Sequence, residues 1–143
     1  MAGNKLQTFK ADVLERIVRG STADLTATTM WFHLYNTTLN DSATPATTGR
    51  CPGTGYNPVN KTNSTDTWTN PTTASPSATE NKVEISYTTS AGSGWGTIQA
   101  LMITSSSGTG GVGYWWGDIS PTQAISTGNI VKFSTGAIDI TES

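Results

Sequence analysis

The sequence predicts a mainly β protein: a β-sandwich or jelly-roll-like body with one N-terminal amphipathic α-helix. Three observations predict it. Charged residues are only 13% of the chain, against about 25% in an ordinary domain. Thr, Ser, Asn and Gly replace them, and these favour turns and strands over helix interiors. Short apolar stretches recur between Gly-containing turns at fairly even spacing, the pattern of a sandwich or barrel. Helical periodicity occurs only at the N-terminus.

At 143 residues the chain can bury a core without metals or disulfides, and residues 1–143 are read as a single domain. Leu6, Phe9, Val13, Leu14, Ile17 and Val18 follow the 3.6-residue period, so a helix is expected over 4–20. Asn4 is its expected cap, with Gln7 three residues on. Glu15 is placed to pair with Arg19, and Gly20 to end the helix left-handed. The apolar stripe has two possible uses. It can cover an edge or face of the β body, or it can pack on its mates at a symmetry axis.

The β body is expected over 30–141. In residues 30–35, Met30, Phe32 and Leu34 share one face of a strand, and Trp31, His33 and Tyr35 share the other. Residues 36–78 form a long irregular excursion rich in Thr, Asn, Ser and Pro. Such a stretch is unusual in a compact domain and reads either as a functional excursion or as an arm ordered by a partner. On the second reading, deleting residues 44–76 should leave a folded, non-binding domain. Alternation returns at 83–88. Residues 95–103 read as a strand buried on both faces. A strand over 112–116 follows, then a turn at Pro121. A hairpin is expected around 126–129 and a last strand over 137–141.

Gly108-Thr109-Gly110-Gly111-Val112-Gly113 matches the dinucleotide-binding pattern G-x-G-x-x-G. That loop must open a helix whose N-terminus receives the phosphates. Here it opens onto Tyr114-Trp115-Trp116-Gly117, which favours a strand. The loop is read as a hairpin connection whose glycines supply positive φ, and no nucleotide cofactor is expected.

No catalytic constellation emerges. His33 is the sole histidine and sits between aromatics on a strand. No G-x-S-x-G elbow accompanies it. The carboxylates are scattered, and no ligand spacing for a metal occurs. Cys51 is the sole cysteine, so no intrachain disulfide is possible. No enzyme activity and no cofactor are expected. A net charge of −2 without a basic patch argues against nucleic acid. No apolar run reaches the roughly 20 residues of a membrane helix, and MAGNKLQTFK has no leader-type apolar core.

The aromatics remain. Trp31, Tyr56, Trp68, Trp115 and Trp116 are the candidate interface residues. Adjacent Trp115 and Trp116 must face opposite sides of a strand. These tryptophans point first to a subunit contact, next to plain core packing and last to a sugar-stacking surface.

The order of elements in the C-terminal half resembles small virion structural proteins of tailed bacteriophages. It runs Trp95-Gly96-Thr97-Ile98, an apolar strand, Gly110-Gly111, then Tyr114-Trp115-Trp116-Gly117. Pro121, Ile125, Gly128, Val131, Phe133 and Gly136-Ala137-Ile138 follow. Trp31 to Asn36 and Gly55-Tyr56 sit where earlier motifs of that group fall. The match is weakest over 41–77, and Leu101-Met102-Ile103-Thr104 departs from the pattern. The resemblance implies a non-enzymatic capsid decoration (cement) protein. Its partners would be the major capsid protein and copies of itself as a homotrimer, on the capsid surface of the virion. The alternative is a tail-fibre or tail-tip adhesin, for which a host surface glycan would be a partner.

Overall fold

A computed structural model describes residues 2–20, 27–45, 49–52, 54–73, 76–88, 92 and 94–142. The elements in chain order are β1 (Ala2–Lys5), α1 (Gln7–Arg19), β2 (Thr29–Tyr35), β3 (Val59–Thr62) and β4 (Ser77–Glu80). Then come β5 (Ile85–Ser86), β6 (Gly96–Thr104), β7 (Gly113–Ile125), β8 (Lys132–Phe133) and β9 (Asp139–Glu142). Seven strands form one sheet in the order β3-β2-β6-β7-β1-β9-β4, and β5 pairs with β8 in a separate ribbon. All pairings are antiparallel except β1 with β9. The protein is therefore mainly β with one N-terminal helix. Among the described residues the edge strands β3 and β4 do not pair with each other, and these pairings show neither a closed barrel nor a jelly-roll topology.

The centre of the sheet is β2, β6 and β7. Phe32 lies opposite Ile103, which lies opposite Trp115. His33 lies opposite Met102, which lies opposite Trp116. Each strand thus gives alternate residues to two cores. The larger core holds Phe32, Leu34, Leu101 and Ile103, with Trp68, Trp95, Ile85 and Ile138 from surrounding elements. The smaller holds Tyr35, Ala100 and Met102 with Leu6, Leu39 and Ala43. β6 is buried on both faces, as its uncharged apolar run requires. Burying each such aliphatic side chain is worth about 1.5–3 kcal/mol.

Several expectations are corrected. The helix begins at Gln7, not at residue 4, and Asn4 lies in β1 opposite Trp116. Leu6 occupies the N-cap position without a side-chain cap bond. Its burial in the smaller core sets the helix start, and the Asp41 carbonyl accepts the Gln7 N–H at 2.8 Å. At the other end the sequence reads correctly. Glu15 pairs with Arg19 at 2.9 Å, and Gly20 closes the helix at φ 64°.

The described residues within 36–78 pack on the rest of the chain rather than forming a detached arm. β3 pairs with β2 along its length, Leu39 and Ala43 enter the smaller core, and Cys51 and Trp68 enter the larger. Deleting 44–76 would remove all of β3 and two core side chains. Alternation at 83–88 yields only the two-residue β5.

Pro121 lies within β7 rather than in a turn. Between Ile98↔Gln123 and Ala100↔Asp118, β6 advances by two residues and β7 by five. The extra residues form a bulge, which tolerates a residue with no N–H to donate. The turn at 126–129 forms, with the Asn129 N–H donating to the Ser126 carbonyl at 3.1 Å. The strand beyond it does not return to β7. β8 pairs instead with β5, so there is no hairpin.

The glycine loop does join β6 to β7 as a hairpin, and the Ser105 N–H donates to the Val112 carbonyl at 2.9 Å. Its glycines are not there for positive φ, since none of them adopts it. Close approach explains two of them. A Cβ on Gly111 would lie 2.9 Å from the Ser106 backbone nitrogen, and one on Gly113 would lie 2.4 Å from the Leu6 side chain.

Candidate functional site

The five aromatic candidates occupy different environments. Trp31 is half-buried on β2, paired with Asn60 of β3 and Thr104 of β6. Tyr56 packs its ring on Tyr87 and edge-on against Trp95. Its hydroxyl accepts the Leu34 N–H at 2.7 Å, and burial pushes its pKa well above the ordinary value. Trp116 is half-buried on the smaller-core side. Its Nε1–H donates to Asp41 Oδ1 at 3.2 Å. Asp41 Oδ2 also pairs with Lys10 of α1 at 3.0 Å. The bonds from Lys10 and then Trp116 hold the Asp41 carboxyl below its usual range. Asp41 therefore fastens the start of α1 to β7.

Trp68 and Trp115 are the two that come together. Both line one cavity of about 430 Å³. This cavity is open to solvent between β2, β4, β7 and β9 and the segment joining β3 to β4. Met30 and Ile140 contribute apolar wall, and Asn63, Ser64, Thr69, Asn70 and Thr79 contribute polar wall. No lining residue is ionisable. The volume falls in the usual range of small-ligand sites, roughly 300–1,000 Å³.

Local hydrogen bonds explain this placement. The Ser64 carbonyl accepts the Thr67 and Trp68 N–H groups, both at 3.1 Å, which turns the chain so that the Trp68 indole enters the core. There it stacks on Phe32 with ring centres 6.1 Å apart. Thr79 Oγ1 donates to the Thr69 carbonyl at 2.7 Å, and Thr69 Oγ1 accepts the Glu80 N–H at 2.9 Å. These bonds pin the rim to β4. Buried Asn81, just beyond β4, fixes that strand end. Its amide accepts from the Ile138 N–H at 2.8 Å and donates to the Ser134 carbonyl at 2.9 Å. On the far wall Trp115 meets Phe9 of α1 edge-on, with centres 5.2 Å apart.

Trp68 is 8% exposed, and its buried Nε1–H has no acceptor among the described residues. A buried donor left open costs about 1–3 kcal/mol. The chain thus tolerates an unmet buried polar group on a residue that lines this cavity. Asn63 and Asn70 present exposed amides at the rim, and Asn63 Nδ2 donates to the Ala27 carbonyl at 3.2 Å. Stacking surfaces beside uncharged donors and acceptors can hold a ligand, but the lining has no acid–base pair to transform one.

His33 belongs elsewhere. Fully buried, it bonds through Nε2 to the Ser106 carbonyl at 2.9 Å and Thr104 Oγ1 at 3.0 Å. Burial, opposed by the bond to Ser106 and aided by Arg50, lowers its pKa to about 4. The ring stays neutral and structural. Cys51 is buried, with Sγ 3.9 Å from the Trp95 carbonyl. Among the described residues no group of three or more His, Cys, Asp or Glu is placed to hold a metal, and no helix is long and apolar enough to cross a membrane.

The sequence marks Trp68 and Trp115 singly and not as a pair, and it gives no role to Asn63, Thr69 or Asn70. Only their uncharged, Asn/Thr-rich surroundings were a signal. Compared with known families, residues 5–141 match the model described as Podophage GP4 fiber I protein gp80. No curated protein matches the chain.

Proposed function

The chain belongs to the Podophage GP4 fiber I protein gp80 family, and from that premise we propose a non-enzymatic fibre protein of the phage tail, assembled from several copies of itself. Family membership makes it a phage fibre-type structural protein, and the match covers residues 5–141. That observation is the support for the proposed tail placement. It favours the fibre reading over capsid decoration, because the matched family is described as a fibre.

Self-association is supported by α1. Leu6 and Phe9 dock the helix start, but Leu14, Ile17 and Val18 are 62%, 75% and 75% exposed. An apolar stripe left in water on a short helix is ready cover for another copy in a multi-copy fibre.

Immunogold labelling of intact virions with antibody against this chain tests the placement. Label confined to the tail is expected. Label distributed over the head would restore the decoration reading and overturn this one.

A further inference from the structure

We infer that copies of this chain join head to tail, with the apolar stripe of α1 on one copy seated in a groove beside β7 and β8 on the next. The inference rests on the self-association proposed above and names the surface that receives the helix.

Among the described residues the exposed large apolar side chains fall in two places. Leu14, Ile17 and Val18 form a ridge on α1, at the i, i+3, i+4 spacing of a helix that lies in a groove. Ile130 is 51% exposed and lines a groove of about 300 Å³. Ile98, Ile119, Ile125 and Phe133 supply the apolar wall of that groove. A cavity of about 150 Å³ accepts a benzene ring, so the groove has room for two side chains of the ridge.

Ridge and groove do not meet within one chain. Phe9 fixes the start of α1 on Tyr114 and Trp115, at the start of β7, with ring centres 5.0 and 5.2 Å apart. Residues 14–20 beyond it are all exposed. The groove lies toward the other end of the same strand, over Ile119 to Ile125.

Shape favours ridge in groove over ridge on ridge. Three side chains on one helix face cover far less than the roughly 800 Å² per partner of a standard interface. Two ridges packed on each other would also leave the groove and Ile130 in water. Seating the ridge in the groove covers both and adds the groove's walls to the contact.

Charge points the same way. The exposed half of α1 carries Glu15, Arg16 and Arg19, an excess of one positive charge. At the groove Lys132 pairs with Glu84 at 3.1 Å, and exposed Asp118 precedes Ile119, an excess of one negative charge. Opposed rims of this kind set orientation. Two helix ends brought together would face each other with the same sign. Because ridge and groove are different patches, every copy bears one of each, and the contact either closes as a ring or repeats along an axis.

The test uses purified full-length variants and light scattering over a range of concentrations. Ile17→Ser combined with Val18→Ser spoils the ridge, and Ile130→Asp spoils the groove. All three side chains are exposed, so urea midpoints should stay at the wild-type value. Each variant alone should associate at least about tenfold more weakly than wild type. An equimolar mixture of the two should form a one-to-one dimer and grow no further, since one intact ridge then meets one intact groove. Ser120→Tyr sets a ring at the groove from an exposed position and takes the place of Ile130→Asp if that change lowers the midpoint.

Two results would overturn the head-to-tail contact and leave self-association standing. One is a groove variant that associates as wild type does, which would mean ridge packed on ridge. The other is a mixture that stays monomeric where wild type assembles. A wild-type chain that stays monomeric at millimolar concentration would overturn both.

Discussion

The centre of the sheet and the N-terminal helix are both apolar in sequence, yet the chain treats them oppositely. β6 is buried on both sides, between Phe32 and Trp115 on one face and within the Leu6, Tyr35 and Met102 core on the other. α1 buries only its first turn, and its last two turns carry Leu14, Ile17 and Val18 into solvent. A strand at the middle of a sheet has neighbours on every side from its own chain. A helix tethered at one end by Asp41 and Phe9 does not. Apolar periodicity therefore announces that a surface must be covered without saying whose atoms cover it.

The largest expected effects lie at the sheet centre. Leu101→Ala, fully buried opposite Leu34, should cost about 2–5 kcal/mol, read as a lower urea midpoint at unchanged slope. Deleting 44–76 should abolish cooperative unfolding altogether, because β3, Cys51 and Trp68 go with it. A cooperatively folded deletion product would show that the centre is less dependent on that segment than its packing indicates.

Next in size is acid. His33 in the folded chain has a pKa of about 4 against 6.5 for the free side chain, so the unfolded chain binds the proton first. Stability should be flat above pH 6.5 and fall as pH drops from 6.5 to 4, by on the order of 3 kcal/mol in all. His33→Gln should flatten that part of the profile. A wild-type profile that is already flat there would mean that the ring is not buried neutral.

The helix should respond far less. Asp41→Asn loses the exposed pair with Lys10 and weakens the bond from Trp116, a loss of about 1 kcal/mol or less. Ile17→Ser and Val18→Ser should leave the stability of the single chain within about 0.5 kcal/mol. Their effect should appear instead as reduced self-association in light scattering. A large loss of monomer stability would show that the stripe is already covered within one chain.

This contrast also separates what could be read in the sequence from what could not. β2 and β6 were legible because alternation and an uncharged run leave few other fates for Phe32, Leu34 and Leu101. The helix end was legible because Glu15, Arg19 and Gly20 act locally. β1 was not, since Ala2 to Lys5 carries no apolar pattern and is held through strand pairing. The partner of β8 was not, since Gly128 can turn the chain without choosing which strand receives it. The glycine loop misled for a related reason. Gly111 and Gly113 are required by Ser106 and Leu6, which only the folded chain brings near. The cavity was half legible: Trp68 and Trp115 stood out singly, but the pairing of β4 with β9 that builds its wall is long-range.

Hydrogen exchange on the isolated full-length chain over a range of protein concentrations would decide most directly whether the two regions differ in the way described. Amides of β6 should exchange at the rate set by global unfolding, independent of concentration. Those of the second half of α1 should be weakly protected when dilute and gain protection as concentration rises. If α1 is as protected as β6 at the lowest concentration, or stays unprotected at the highest, the helix is not a surface kept open for another copy.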